Sequence, residues 1–150
     1  MPTFKKHLTG LLLLSIAVIG IIASTASQKS ETASNYLLPS NFNPNKQVLL
    51  IEKAGSESQV EEMKEYMSSN YPFKYEFITW DDLSADKYSD KDSFQFALRK
   101  VELHDGHTPK FDFCFYDHIS NQQYSKTGDE SAEPKEPLEK IIKKIVKKYK

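Results

Sequence analysis

Leu138, Ile141, Ile142, Ile145, Val146 and Tyr149 fall at steps of 0, 3, 4, 7, 8 and 11. On a helix of 3.6 residues per turn that spacing makes one continuous apolar stripe. A short helix draws its stability from packing such a stripe, so this segment must lie on a sheet or on other helices. Pro137 suits the first turn, where a missing N–H costs little. From Leu138 onward the chain also carries six Lys (Lys140, Lys143, Lys144, Lys147, Lys148 and Lys150) against one Glu. The outward side of this last helix is therefore basic.

The partner layer is legible upstream. Val48-Leu49-Leu50-Ile51 is an unbroken apolar run between polar residues, the pattern of a strand covered on both faces. Ala54-Gly55-Ser56 turns the chain. Ser56 with Gln59, and Ser58 with Glu61, have capping-box spacing. Val60, Met63 and Met67 then share one helical face, until Asn70 and Pro72 stop the helix. Met at helical spacing is read as core rather than as a soft ligand groove.

Tyr75 to Trp80 reads as a second strand, parallel to the first. Phe94 to Leu103 reads as a third. Its apolar pattern shifts from Phe94, Phe96 and Leu98 to Val101 and Leu103, which suggests a bulge. Phe111, Phe113, Phe115 and Ile119 mark one face of a fourth strand, with Asp112, Cys114, Tyr116 and His118 on the other. Asp105-Gly106 signals a turn between them. A two-residue turn would put Pro109 at a ladder position, so a longer loop over 104–110 is expected.

The expected fold is α/β (α+β): a small mixed four-stranded sheet in the order β-α-β-(linker)-β-β-α. Mobile loops are expected at 81–93 and 120–137. This element order over residues 47–150 resembles the minimal thioredoxin-like core. The resemblance implies redox chemistry at the start of the first helix, but Ala54-Gly55-Ser56-Glu57-Ser58 holds no Cys. Thiol–disulfide exchange is thus contradicted even within the resemblance.

Other chemistries are weighed residue by residue. Cys114 is the only cysteine, so neither a disulfide scaffold nor a CxxC centre can form. His118, four residues along the same strand face, would lie roughly 13 Å away, too far to activate the thiol. His104, Asp105 and His107 form a partial metal site, short of the three or four fixed ligands that zinc takes. Asp81, Asp82, Asp86, Asp90 and Asp92 make an acidic stretch. Counted from Asp90, however, a calcium loop would need Gly at its sixth place and Glu at its twelfth, where Val101 stands. No nucleophile elbow, phosphate-binding Gly loop or His-Glu-x-x-His occurs. With 20 Lys+Arg against 21 Asp+Glu, the chain is not a strongly basic nucleic-acid binder.

The first 27 residues carry an address. Lys5 and Lys6 form a positive head, Leu8 to Ala23 is almost wholly apolar, and Ala23-Ser24-Thr25-Ala26-Ser27 is a small-residue exit. That is a secretory signal peptide over 1–26, cleaved near Ala26. The apolar run is short of the ~20 residues that span a bilayer comfortably. An uncleaved anchor is the alternative. Residues 27–46 read as a polar, flexible N-terminal tail, and 47–150 as the single domain.

These observations favour a secreted or periplasmic, monomeric, non-catalytic domain with a binding or envelope-associated role and no cofactor. Its partner would be a protein or an anionic surface, met by Lys143, Lys144, Lys147 and Lys148, or the hairpin end. Membrane contact would come only through the N-terminal segment or weakly through the last helix. Two alternatives stand beside this. One is a metal-dependent enzyme or metal-binding protein using His104, Asp105 and His107. The other is a tethered structural protein that keeps its N-terminal anchor.

Overall fold

The computed structural model describes residues 38–150. The expected signal peptide and residues 27–37 of the expected tail lie outside them. The first strand, β1 (Leu49–Glu52), is buried along its whole length. It sits inside a five-stranded mixed sheet of order β2 (Tyr75–Ile78), β1, β3 (Phe96–Asp105), β4 (Thr108–Asp117) and β5 (Gln122–Lys126). Leu49 and Ile51 face one apolar cluster and Leu50 faces another, which is why this strand shows no polar alternation.

Helix α1 (Glu57–Asn70) begins with the anticipated box. Ser56 Oγ accepts the Gln59 N–H at 3.4 Å, and Gln59 Oε1 accepts the Ser56 N–H at 2.9 Å. Val60, Met63 and Met67 are buried, so the Met residues are core. Strand β2 (Tyr75–Ile78) then pairs parallel to β1, from Leu49 opposite Tyr75 to Glu52 opposite Ile78.

Residues 80–94 cross the other face of the sheet. They form two 3₁₀ turns, Trp80–Ser84 and Asp86–Ser89, and one helical turn, α2 (Lys91–Phe94). Leu83, Tyr88 and Phe94 anchor this segment on Leu50, Ile78 and Ala97. Its carboxylates serve local turns: Asp82 accepts the Thr79 N–H at 2.6 Å and Asp90 the Asp92 N–H at 3.1 Å.

Strands β3 (Phe96–Asp105) and β4 (Thr108–Asp117) form a hairpin in unbroken antiparallel register. Three expectations are corrected here. Phe94 belongs to α2, not to β3. No bulge interrupts the β3–β4 register. The apolar pattern changes because pairing with β1 ends at Ile51 opposite Leu98, and the hairpin projects beyond it. Finally, Asp105 pairs with Thr108, leaving the two-residue turn Gly106-His107. Gly106 has φ +86, the left-handed value that a type II′ turn needs at its first central position. In such a hairpin the flanking pair is hydrogen-bonded and the next, His104 with Pro109, is not. The missing proline N–H therefore points away from β3.

The sheet has five strands rather than four. Strand β5 (Gln122–Lys126) pairs antiparallel with β4, with a register shift between Cys114 and Tyr116. It lies in the segment expected as a connection and breaks the element order on which the thioredoxin-like resemblance rested. Helix α3 (Lys135–Tyr149) closes the chain on the α1 side of the sheet. Leu138, Ile141, Ile142 and Ile145 are buried against it, as the stripe demanded. The core also reaches back to Phe42, whose ring meets Phe96 at 5.7 Å, Phe115 at 5.2 Å and Tyr149 at 6.1 Å.

Candidate functional site

Docking of α3 through its Ile face turns its lysines outward. Lys140 is drawn to Asp129 at 2.7 Å and Lys143 to Glu139 at 2.6 Å. The Glu139 hydrogen bond also holds the Lys143 ammonium above its ordinary range. Among the described residues no ion pair engages Lys144, Lys147, Lys148 or Lys150. All four are exposed. The Lys148 ammonium lies 5.0 Å from the Tyr149 ring. The unneutralised charge thus gathers in the last two turns. It differs from the group read in the sequence by Lys150 in place of Lys143, a change toward the C-terminus.

The same end of α3 holds the start of the described chain. Tyr149 Oη donates a hydrogen bond to the Phe42 carbonyl. Leu38 packs on the same apolar cluster as Phe42 and Tyr149. Phe42 therefore lies beside Tyr149, which stands among Lys147, Lys148 and Lys150 in sequence.

The other sequence candidates lie apart from this end. His104 is exposed at the projecting hairpin, its Nε2 3.6 Å from Glu102 Oε1, and His107 lies in the turn. Among the described residues no group of three or more His, Cys, Asp or Glu is placed to hold a metal ion. Cys114 is fully buried and its Sγ donates to the Arg99 carbonyl at 3.8 Å. Burial pushes its thiol up to about 11, which leaves little thiolate at neutral pH. His118 sits past the end of β4, with its Nε2 hydrogen-bonded to the Phe94 carbonyl.

Two open clefts flank the start of α1, at the carboxyl end of β1. The β1–β2 connection leaves on the α1 side and the β2–β3 connection on the other. Open α/β sheets bind ligands at such a switch point. One cleft, of about 510 Å³, is lined by Ser56, Gln59, Lys100, Glu102, Thr108 and Glu133 among others. Its Gln59 is already engaged by its neighbours. Gln59 Nε2 donates to the Ala132 carbonyl and to the Glu133 carboxylate, each at 3.1 Å. Gly55, at φ +78, is packed so tightly that a Cβ there would lie 2.2 Å from Gln59 Oε1.

Several polar groups that pattern reading missed line the sheet face opposite α1 and α3. Arg99 stacks over Trp80 at 4.2 Å and reaches Tyr116 at 5.6 Å. Glu52 is buried and accepts the Lys100 N–H at 3.0 Å. Desolvation raises its pKa despite that bond and the nearby Lys100 and Arg99 charges. The fully buried Asp112 accepts from the N–H groups of Phe113, Thr127 and Gly128 and from the Thr127 hydroxyl. Contacts between distant segments assemble these groups, with Glu52 and Lys100 48 residues apart, so no local spacing announces them.

The chain matches no protein-family model, no curated protein and no solved structure.

Proposed function

We propose that this chain is an exported, non-catalytic α/β domain that docks on an anionic membrane surface through the C-terminal end of α3. The observation that carries this reading is the set of four exposed lysines at the end of α3, Lys144, Lys147, Lys148 and Lys150, that no ion pair engages among the described residues. The Tyr149–Phe42 hydrogen bond holds Phe42 at the same end of α3. Export is supported by the Lys5-Lys6 head, the apolar run Leu8–Ala23 and the small-residue exit. If the segment is retained, it tethers the domain to a membrane and adds to the attraction of the lysines for that surface. If it is removed near Ala26, the lysines alone give a weak, salt-sensitive contact.

A basic side chain near an anionic bilayer contributes about 1 kcal/mol. Neutralising three should therefore weaken binding at least tenfold. The test is sedimentation of the chain from Ser27 with phosphatidylglycerol vesicles and with phosphatidylcholine vesicles. Binding to the anionic vesicles alone, lost with salt and with Lys144→Gln, Lys147→Gln and Lys148→Gln together, is the expected result. Equal binding by the variant, or no binding by the parent, overturns the proposal.

A further inference from the structure

The sheet has two edges, and they differ. Strand β5 is polar (Gln122-Gln123-Tyr124-Ser125-Lys126), and its pairing with β4 is interrupted by the shift. Strand β2 is regular and, among the described residues, pairs on one side only, with β1. The Leu49 N–H donates to the Lys74 carbonyl at 3.0 Å, and the Lys53 N–H to the Ile78 carbonyl at 2.9 Å. Even-numbered backbone groups of this stretch therefore face β1. By strand alternation the N–H and C=O of Tyr75 and Phe77 point outward, away from the sheet.

The side chains beside that edge form two rows. On the helix side Phe73, Tyr75 and Phe77 are only partly buried. Their rings run in series with Tyr71, Tyr71 to Tyr75 at 5.9 Å and Tyr75 to Phe77 at 6.0 Å. On the other side stand Lys74 and Glu76, two residues apart and opposite in charge. We propose that two copies of this chain pair through β2, antiparallel and two-fold symmetric about Tyr75, to make one continuous ten-stranded sheet.

The register follows from charge and pleat. A two-fold axis perpendicular to the sheet keeps each side-chain row on its own face. It must also pass through a residue rather than between two. Centred on Glu76, it sets two carboxylates directly opposite, which is destabilising. Centred on Phe77, it sets Glu76 against the apolar Ile78. Centred on Tyr75, it sets Lys74 opposite the second copy's Glu76 and Glu76 opposite its Lys74, while Phe73 meets Phe77 across the axis. Tyr75, with its backbone groups outward, becomes a hydrogen-bonded pair with itself, so geometry and charge select the same register. Glu76 also holds Lys87 at 2.6 and 2.7 Å and the Tyr88 hydroxyl at 2.6 Å, which fixes its carboxylate beside the edge. The seam is short, so the dimer is weak and depends on concentration. The proposal departs from the expectation of a monomer.

The experiment is sedimentation equilibrium over a concentration series, with amide hydrogen exchange on the same samples. A dimer should form as concentration rises, and the Tyr75 and Phe77 amides should become protected in step with it. Lys74→Glu and Glu76→Lys should each weaken self-association about tenfold, because each puts like charges opposite. Mixed one to one, they should restore a heterodimer, since every opposed pair is then complementary. Absence of a dimer overturns the proposal, as does a dimer indifferent to Lys74→Glu or unaccompanied by Tyr75 and Phe77 protection. Should Glu76→Lys unfold through loss of Lys87 and Tyr88, Lys74→Glu and the parent's amide protection still decide.

Discussion

The two faces of the sheet are built on different terms. Under α1 and α3, Leu49, Ile51, Phe96, Leu98, Phe113 and Phe115 are excluded from solvent and belong to one cluster that takes in both helices and Phe42. On the opposite face the apolar cluster is Leu50, Ile78, Tyr88 and Ala97, beneath the 3₁₀ turns. Beyond it come Glu52, Arg99, Asp112, Cys114 and Tyr116. The first face is held by burial, which is non-directional and tolerant. The second is held by hydrogen bonds and ring stacking, each needing its own partner in place. Stability should therefore concentrate on the helix side and local order on the other.

The largest effect expected is on the helix side. Phe115 touches Phe42 and Phe96 and has no exposed surface. Phe115→Ala should cost about 3–5 kcal/mol of unfolding free energy, as truncation of a buried aromatic does. Urea unfolding measures it, and a loss under 1 kcal/mol would mean that this face is not the core. Next comes Asp112 on the other face. Asp112→Ala strands the buried Phe113 N–H, takes an acceptor from the Thr127 and Gly128 N–H groups, and should cost about 2–3 kcal/mol. Its signature is local: faster amide exchange at Thr127 and Gly128 than elsewhere in the sheet.

This contrast also explains what could be read in advance. Burial leaves a periodic trace, so Leu138 to Tyr149, Val60 to Met67 and Phe111 to Phe115 announced their elements. The Ser56–Gln59 box is local in sequence and was equally visible. Gln122 to Lys126 left no trace, because an edge strand exposed over much of its surface has no apolar alternation to show. Arg99 and Tyr116 meet through the β3–β4 register and Trp80 reaches them from the 3₁₀ turn after β2, while Glu52 binds the backbone of Lys100 from the neighbouring strand. The lysines of α3 were legible as a charged face. Which of them are neutralised was not, since Asp129 approaches Lys140 from another element.

Smaller effects refine the contrast. Arg99→Ala removes a cation stacked on Trp80 and Tyr116. It should cost about 1 kcal/mol and shift the fluorescence of Trp80, the only tryptophan. An unmoved emission maximum would show that the stack does not persist in solution. Two carboxylates set opposite pH slopes. Burial raises the folded pKa of Glu52, so the native state binds this proton more tightly than the unfolded chain. Its contribution weakens as pH rises from the ordinary carboxylate value through the raised one. Asp117 behaves oppositely. Desolvation opposes its charge, but hydrogen bonds from Gln95, Ser120 and Ile119 outweigh it and lower the pKa. Stability from Asp117 is present above its ordinary value and lost as pH falls through the lowered one. Glu52→Gln should remove the first slope and leave the second, read from urea midpoints between pH 3 and 7. An unchanged profile would mean that Glu52 is solvated.

The smallest expected change in stability belongs to the surface proposed to function. Lys144, Lys147 and Lys148 are exposed, and no ion pair engages them among the described residues. Changing all three to Gln should therefore shift unfolding free energy by no more than about 0.5 kcal/mol. Neutralisation does remove favourable charge near the C-terminal end of the helix dipole. It also relieves repulsion among neighbouring lysines one turn apart, and the two effects oppose each other. This near-neutrality makes the vesicle experiment decisive, because a folded variant that no longer sediments has lost a binding surface and not a structure. If the triple variant instead unfolds by several kcal/mol, these lysines are part of how α3 docks, and the basic face is a structural feature of the helix.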